Sequence, residues 1–202
     1  MLGRRVRRHL SALLPARRGV GPLIQRDYWG VIVDCRLSPP ELIDLVARNF
    51  PAFAPAELAA FRRLGRTHGP LEVGDELEVH IRMTGTFRVR VVHRDRNSFT
   101  LATLVGHPEA GRITFGAYRN DVGDVVFHIR SRARSGSRRF YAGFRALGEA
   151  MQTETWAEFV NRVALTVGSG ILAYVHAEFR RLPADEEEGD ELRSPTFIAR
   201  GD

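Results

Sequence analysis

Between Leu77 and Arg132 the chain alternates apolar and polar residues in short runs. Leu77, Val79 and Ile81 alternate with Glu78, His80 and Arg82. Phe87, Val89 and Val91 alternate with Arg88 and Arg90. Phe99, Leu101 and Thr103 follow, then Ile113, Phe115 and Ala117, then Val125, Phe127 and Ile129 opposite His128, Arg130 and Arg132. A period of two marks strands with one face buried. Turn residues separate the runs: Thr84-Gly85, Arg94 to Asn97, Gly106 to Gly111, and Asn120 to Gly123. These links are too short for parallel crossovers, so the strands form an antiparallel meander. The phase turns Phe127 and Ile129 inward and Arg130 and Arg132 outward, because a slip of one residue would bury the arginines.

The flanks read differently. Tyr28 to Arg36 alternates as a first strand. Ser38, Pro39 and Glu41 then supply an N-cap, a first-turn proline and the acid of a capping box. Leu42, Leu45, Val46 and Asn49 continue at helical spacing to Pro51, and a second short helix fits Pro55–Leu64 with Gly65 as its stop. After Ser135-Gly136-Ser137 the period is helical again. Phe140, Phe144, Leu147 and Met151 share a face, which Trp156, Phe159, Val160, Val163, Val167, Ile171 and Tyr174 extend. Thr155 and Glu158 would cap a restart, or the helix runs through. From 155 to 181 alone it would be roughly 40 Å long.

A strand, two helices, at least five antiparallel strands and a long final helix predict an α+β fold. The sheet's single apolar face needs a cover, and the last helix has the length and the stripe to provide it. This order resembles the helix-grip arrangement of START-like and birch-pollen-allergen-like proteins, and the resemblance implies a curved antiparallel sheet wrapped around a long C-terminal helix with a cavity between them.

The most distinctive local sequence is Thr103-Leu104-Val105-Gly106-His107-Pro108-Glu109-Ala110-Gly111, followed by Ile113-Thr114-Phe115. It resembles an uncharacterised family of bacterial and plant proteins, a domain-of-unknown-function family of the START/SRPBCC-like superfamily. There a strand ending in Thr-Leu leads into Gly-His-Pro-Glu-x-Gly and another strand. Phe127-His128-Ile129-Arg130 resembles its next strand, and Gly148 to Gln152 resembles part of its final helix. The resemblance spans roughly residues 28–180. The chain departs from the pattern at Arg112, where an acidic residue is expected, and in its arginine-rich Arg130 to Arg139 stretch. The resemblance implies the fold and carries no assigned activity.

Composition narrows the function. The chain has 202 residues, 44% of them hydrophobic, with a formal net charge of +6. That suits one soluble domain with a proper core. All 30 basic residues are arginine, which excludes lysine Schiff-base chemistry and a phosphate-loop lysine. The single cysteine, Cys35, excludes an internal disulfide framework. With no apolar run near 18 residues, the expected location is cytoplasmic. Arginines crowd residues 1–18, an expected basic extension whose Val6, Leu10, Leu13 and Leu14 would share one helical side. Acidic residues crowd the expected flexible tail, 183–202. The expected single domain is 19–182, and both tails are expected to be dispensable for folding.

Candidate chemistry is sparse. His107 and Glu109 pack an imidazole and a carboxylate into one turn between core strands. That pairing suits an acid or base; equally, Glu109 could accept turn amides while His107 caps a strand end. Gly168-Ser169-Gly170-Ile171-Leu172-Ala173 matches a dinucleotide pattern, but no further strand and acidic ribose ligand are expected after it. The seven histidines show no metal-ligand spacing and there is no Cys-x-x-Cys, so no metal and no cofactor are expected. Arg88, Arg90, Arg130, Arg132 and Arg134 predict basic stripes on the outer sheet face, a solvated surface or an RNA contact, and the amphipathic, arginine-rich N-terminal segment offers a contact for an anionic membrane. The leading expectation is a module binding a hydrophobic or amphipathic small molecule between sheet and final helix. Its expected lining is Phe87, Phe99, Phe115, Phe127, Trp156, Phe159 and Val163; the alternative is that these residues pack a solid core. An enzyme of the same superfamily using His107 and Glu109 is the runner-up.

Overall fold

A computed structural model describes residues 12–139 and 147–183. A 3₁₀ turn, Ala16–Arg18, leads into β1 (Val20–Val31), α1 (Pro39–Phe53), β2 (Ala59–Leu64), β3 (Glu76–Ile81), β4 (Gly85–Arg94), β5 (Ser98–Thr103), β6 (Glu109–Arg119), β7 (Val125–Ser135), α2 (Leu147–Val167) and β8 (His176–Leu182). These strands form one antiparallel sheet in the order β2-β3-β4-β5-β6-β7-β1-β8. Both helices contact the sheet, and a core of buried residues from helices and strands fills the space between.

The alternating runs become β3 to β7 in the expected phase. Leu77, Val91, Phe99, Leu101, Phe115, Phe127 and Ile129 are all buried in the core. At the start of α1, Ser38 donates its N–H to the Glu41 carboxylate at 2.8 Å, so the capping box forms as read. The helix passes Pro51 and ends at Phe53, with a kink at Asn49, the kind of break that an internal proline causes.

Three elements differ from the expectation. The first strand begins at Val20 rather than Tyr28 and ends at Val31; Pro22, Arg26 and Asp27 disguise its alternation. The segment 59–64 is strand β2 rather than a second helix. It pairs with β3 from Ala59↔Ile81 to Leu64↔Glu76, and this ladder overrides local helix propensity. Finally, α2 stops at Val167 instead of continuing to 181. A Cβ on Gly168 would collide with the Val33 carbonyl oxygen. The close approach lets Ser169 donate its N–H to that oxygen at 2.8 Å, and Val33 donates to Gly170 O at 2.9 Å. The chain then turns back as β8, which pairs with β1 from Leu23↔Leu182 to Trp29↔His176. The Gly168–Ala173 segment thus serves as a helix stop and strand junction.

Ala12 to Arg18 lies against the domain. Leu14 donates its N–H to Thr103 O at 2.8 Å and accepts from the Thr103 hydroxyl at 2.9 Å, while Val105 donates to Ala12 O at 2.9 Å. Leu14 and Ala16 are buried. These contacts belong to the part of the expected basic extension that is described. The rest of that extension (1–11), Phe140 and Phe144, and the acidic cluster of the expected tail lie outside the described residues.

Candidate functional site

The space between sheet and α2 has two unlike ends. Near the middle of α2, aromatic rings close it. Phe115 lies 5.0 Å from both Phe50 and Phe99, and 5.4 Å from Phe159, between ring centroids. Phe99, Phe115, Phe127, Phe159 and Val163 are fully buried here. Aromatic pairs at this separation add specific attraction to their area burial. Five of the seven expected lining residues therefore sit in packed core.

Toward the start of α2 the packing opens into a cavity of about 100 Å³. Val79, Ile81, Val89, Leu101 and Ile113 line its sheet side, Leu58 and Phe61 its β2 side, and Met151, Gln152, Thr155 and Trp156 its helix side. Of the expected lining only Trp156 reaches it, half-buried against Phe115 at 5.6 Å and Phe61 at 6.4 Å. Phe87 lies instead against the His107 ring, 5.5 Å away. The β2 residues were missed because that segment read as helix. The inward phase of β3 and β4, and Met151 on the helix stripe, were the signals available for the rest.

The Gly106–Gly111 turn closes one end of this cavity. Gly106 takes a φ of 100°, a left-handed conformation that favours glycine. His107 and Glu109 both line the cavity, together with Ser131 and Arg112. Their side chains do not pair with each other. The His107 Nδ1 lies 3.0 Å from the N–H and also 3.0 Å from the C=O of Glu109. The Glu109 carboxylate accepts from Arg26 at 3.4 Å. Burial pushes the His107 pKa down, against the raising influence of the Glu109 charge and backbone, so its imidazole is neutral at pH 7.

The outer sheet face carries its own buried polar cluster. Asp27 accepts from His128 Nε2 at 2.8 Å, Arg130 Nε at 2.5 Å and Gln25 at 2.8 Å. Burial alone would raise the Asp27 pKa; the His128 and Arg130 hydrogen bonds and the Arg130 charge outweigh it and hold the pKa at about 2. Burial likewise lowers the His128 pKa, although Asp27 opposes this. The expected basic stripes are therefore largely partnered. Arg130 serves Asp27, Arg132 donates to Gln25 at 2.8 Å, Arg134 donates to Gly21 O at 2.6 Å, and Arg90 pairs with Glu76 at 2.6 Å. Arg88 is exposed. Among the described residues no group of three or more His, Cys, Asp or Glu side chains could hold a metal ion, and no helix is long and apolar enough to cross a membrane.

An eight-stranded antiparallel sheet gripping a C-terminal helix over a partly filled interior defines the helix-grip class. Solved structures agree on that fold. Norcoclaurine synthase from Thalictrum flavum, in complex with dopamine and hydroxybenzaldehyde, aligns over 83% of this chain and 94% of its own at 11% identity and a TM-score of 0.50. Major latex-like protein 151 from Panax ginseng aligns over 73% and 99% at 12% identity and a TM-score of 0.50. The di-domain ARO/CYC StfQ from the steffimycin biosynthetic pathway aligns over 76% and 52% at 11% identity and a TM-score of 0.50. At such identities the likeness is one of fold alone. No curated protein matches the sequence. The chain belongs to the family described as Domain of unknown function (DUF1990), which matches residues 46–162 and so includes the Gly106–Gly111 turn and all of the cavity lining.

Proposed function

We propose that the protein binds a small apolar or amphipathic molecule in the cavity between β3–β7 and the first half of α2. The observation that carries this reading is the contrast within one interior. Rings fill the space around Phe159, yet beside Trp156 about 100 Å³ is unfilled and faced mainly by aliphatic side chains. Interiors pack densely, so a void of this size costs stability unless something else favours keeping it. Norcoclaurine synthase, of the same fold, has been solved with two small aromatic molecules, which supports a ligand of that general size. The Glu109 carboxylate is engaged by Arg26 rather than by His107, which favours binding over an acid–base dyad.

Toluene, added to the full chain at pH 7, is the direct test. It should shift the methyl resonances of Ile81, Ile113 and Met151 in a saturable way and leave those of Val46 unmoved. Val89→Phe, which fills the cavity from the sheet side, should abolish the shifts while preserving a cooperative melt. Uniform small shifts across the protein, unchanged in Val89→Phe, would defeat the proposal.

A further inference from the structure

The apolar cavity carries two unspent polar atoms at one end, and they restrict what can occupy it. The turn already uses His107 Nδ1, whichever ring nitrogen holds the proton, since that atom faces both the N–H and the C=O of Glu109. The other ring nitrogen, Nε2, has no hydrogen-bond partner among the described residues. One Glu109 carboxylate oxygen accepts from Arg26, and the second has no partner among the described residues either. Both side chains line the cavity, as do Ser131 and Arg112.

From this arrangement we infer that the ligand is a single-ring apolar body bearing an uncharged hydroxyl, seated with that hydroxyl against His107 and Glu109. The inference rests on the binding reading above. A hydroxyl both donates and accepts, so it gives its one proton to the carboxylate and accepts from Nε2–H, in the tautomer whose bare Nδ1 accepts the Glu109 N–H. A hydrocarbon would leave the ring nitrogen of the buried His107 without a partner and would shut water away from the Glu109 carboxylate, whose side chain is 22% exposed. A ligand carboxylate would be set against the Glu109 carboxylate, like charge against like. A ligand ammonium would compete with Arg26 for Glu109 and add a cation beside Arg112. Size sets the other limit. A cavity of about 150 Å³ lined by Leu, Ile and Phe holds one benzene, so about 100 Å³ encloses no more than one ring.

Four probes of one shape separate these cases: toluene, 4-methylphenol, 4-methylbenzoate and 4-methylbenzylamine. Each is titrated into the full chain at pH 7 and read from the methyl resonances of Ile81, Ile113 and Met151. The phenol, uncharged at this pH, should bind about tenfold more tightly than toluene and than either charged probe. His107→Phe, which keeps a buried ring, should cut that preference to under threefold. The variant also removes a partner of the turn backbone, so the series on the unaltered chain decides if it fails to fold. Equal affinity for toluene and the phenol overturns the hydroxyl inference while leaving the binding reading intact, and so does tightest binding of either charged probe. Methyl resonances that respond to none of the four overturn both.

Discussion

On the inner face of the sheet, Phe115 on β6 meets the rings of Phe50, Phe99, Trp156 and Phe159 at centroid distances of 5.0 to 5.6 Å. On the outer face of the neighbouring strands, Asp27 meets His128, Arg130 and Gln25, and is just as deeply buried. The inner face is covered by two helices. On the outer face the polar side chains pack on one another, with the rings of Trp29 and Tyr118 beside His128 at 5.5 and 6.2 Å. The first kind of burial needs only shape and apolar area. The second needs every charge to keep its partner, because a buried charge without one is far more costly than a small void. The two faces should therefore fail under different insults: truncation for the inner, protonation for the outer.

The largest effect is expected from Phe159→Ala. Phe159 is fully buried and contacts Phe50, Phe53, Phe115, Phe127 and Trp156. Its loss should cost about 3–5 kcal/mol in urea unfolding, and the same amount at pH 7 as at pH 4. A cost that varied with pH would mean that the faces are coupled and the comparison is wrong.

An intermediate effect comes from acid. The Asp27 pKa in the fold, about 2, lies below the ordinary aspartate value of about 3.9. Its contribution is complete above the unfolded value and is withdrawn as pH falls through the folded value. That makes roughly 2 kcal/mol lost between about pH 5 and pH 2. His128 adds an earlier phase. Its pKa is lowered by burial, so below about 6.5 the unfolded chain binds a proton that the fold resists. His128 Nδ1 is buried without a partner and offers that proton no acceptor. Asp27→Asn should lower stability at pH 7 by about 2 kcal/mol and flatten the acid limb below pH 4, as read from urea midpoints against pH. An unchanged limb would place the acid sensitivity elsewhere.

The two faces were also unequally legible in the sequence. The inner face follows from alternation, since Phe99, Phe115, Phe127 and Ile129 have to be placed in phase to bury at all. The outer cluster joins residues about a hundred positions apart, and nothing in a local window links Asp27 to His128. The same limit hid Glu109's partner, Arg26, although the turn holding Glu109 was the most distinctive sequence in the chain. Segments 59–64 and 176–182 carry too little alternation to declare themselves as strands, and each owes its conformation to the strand beside it. The void was invisible for another reason. Periodicity tells which residues face inward, but the volume left between them depends on how the sheet and α2 sit against each other.

The smallest and most discriminating effect concerns Trp156, which shares a helix face with Phe159 but borders the cavity. Its ring is half-buried, with neighbours at 5.6 Å or more. Removing a side chain costs its transfer energy plus a penalty for the void it leaves. At Phe159 that void would be new and closed. At Trp156 it would merge with an existing one, and fewer packed contacts would be lost. Trp156→Ala should therefore cost only about 1–2 kcal/mol, below the penalty of Phe159→Ala. The enlarged cavity should also accept naphthalene, a two-ring probe for which the unaltered protein has no room, with saturable shifts at Ile81 and Ile113. A cost of 3–5 kcal/mol with no naphthalene binding would place Trp156 in the packed core and remove the distinction between the two ends of the interior.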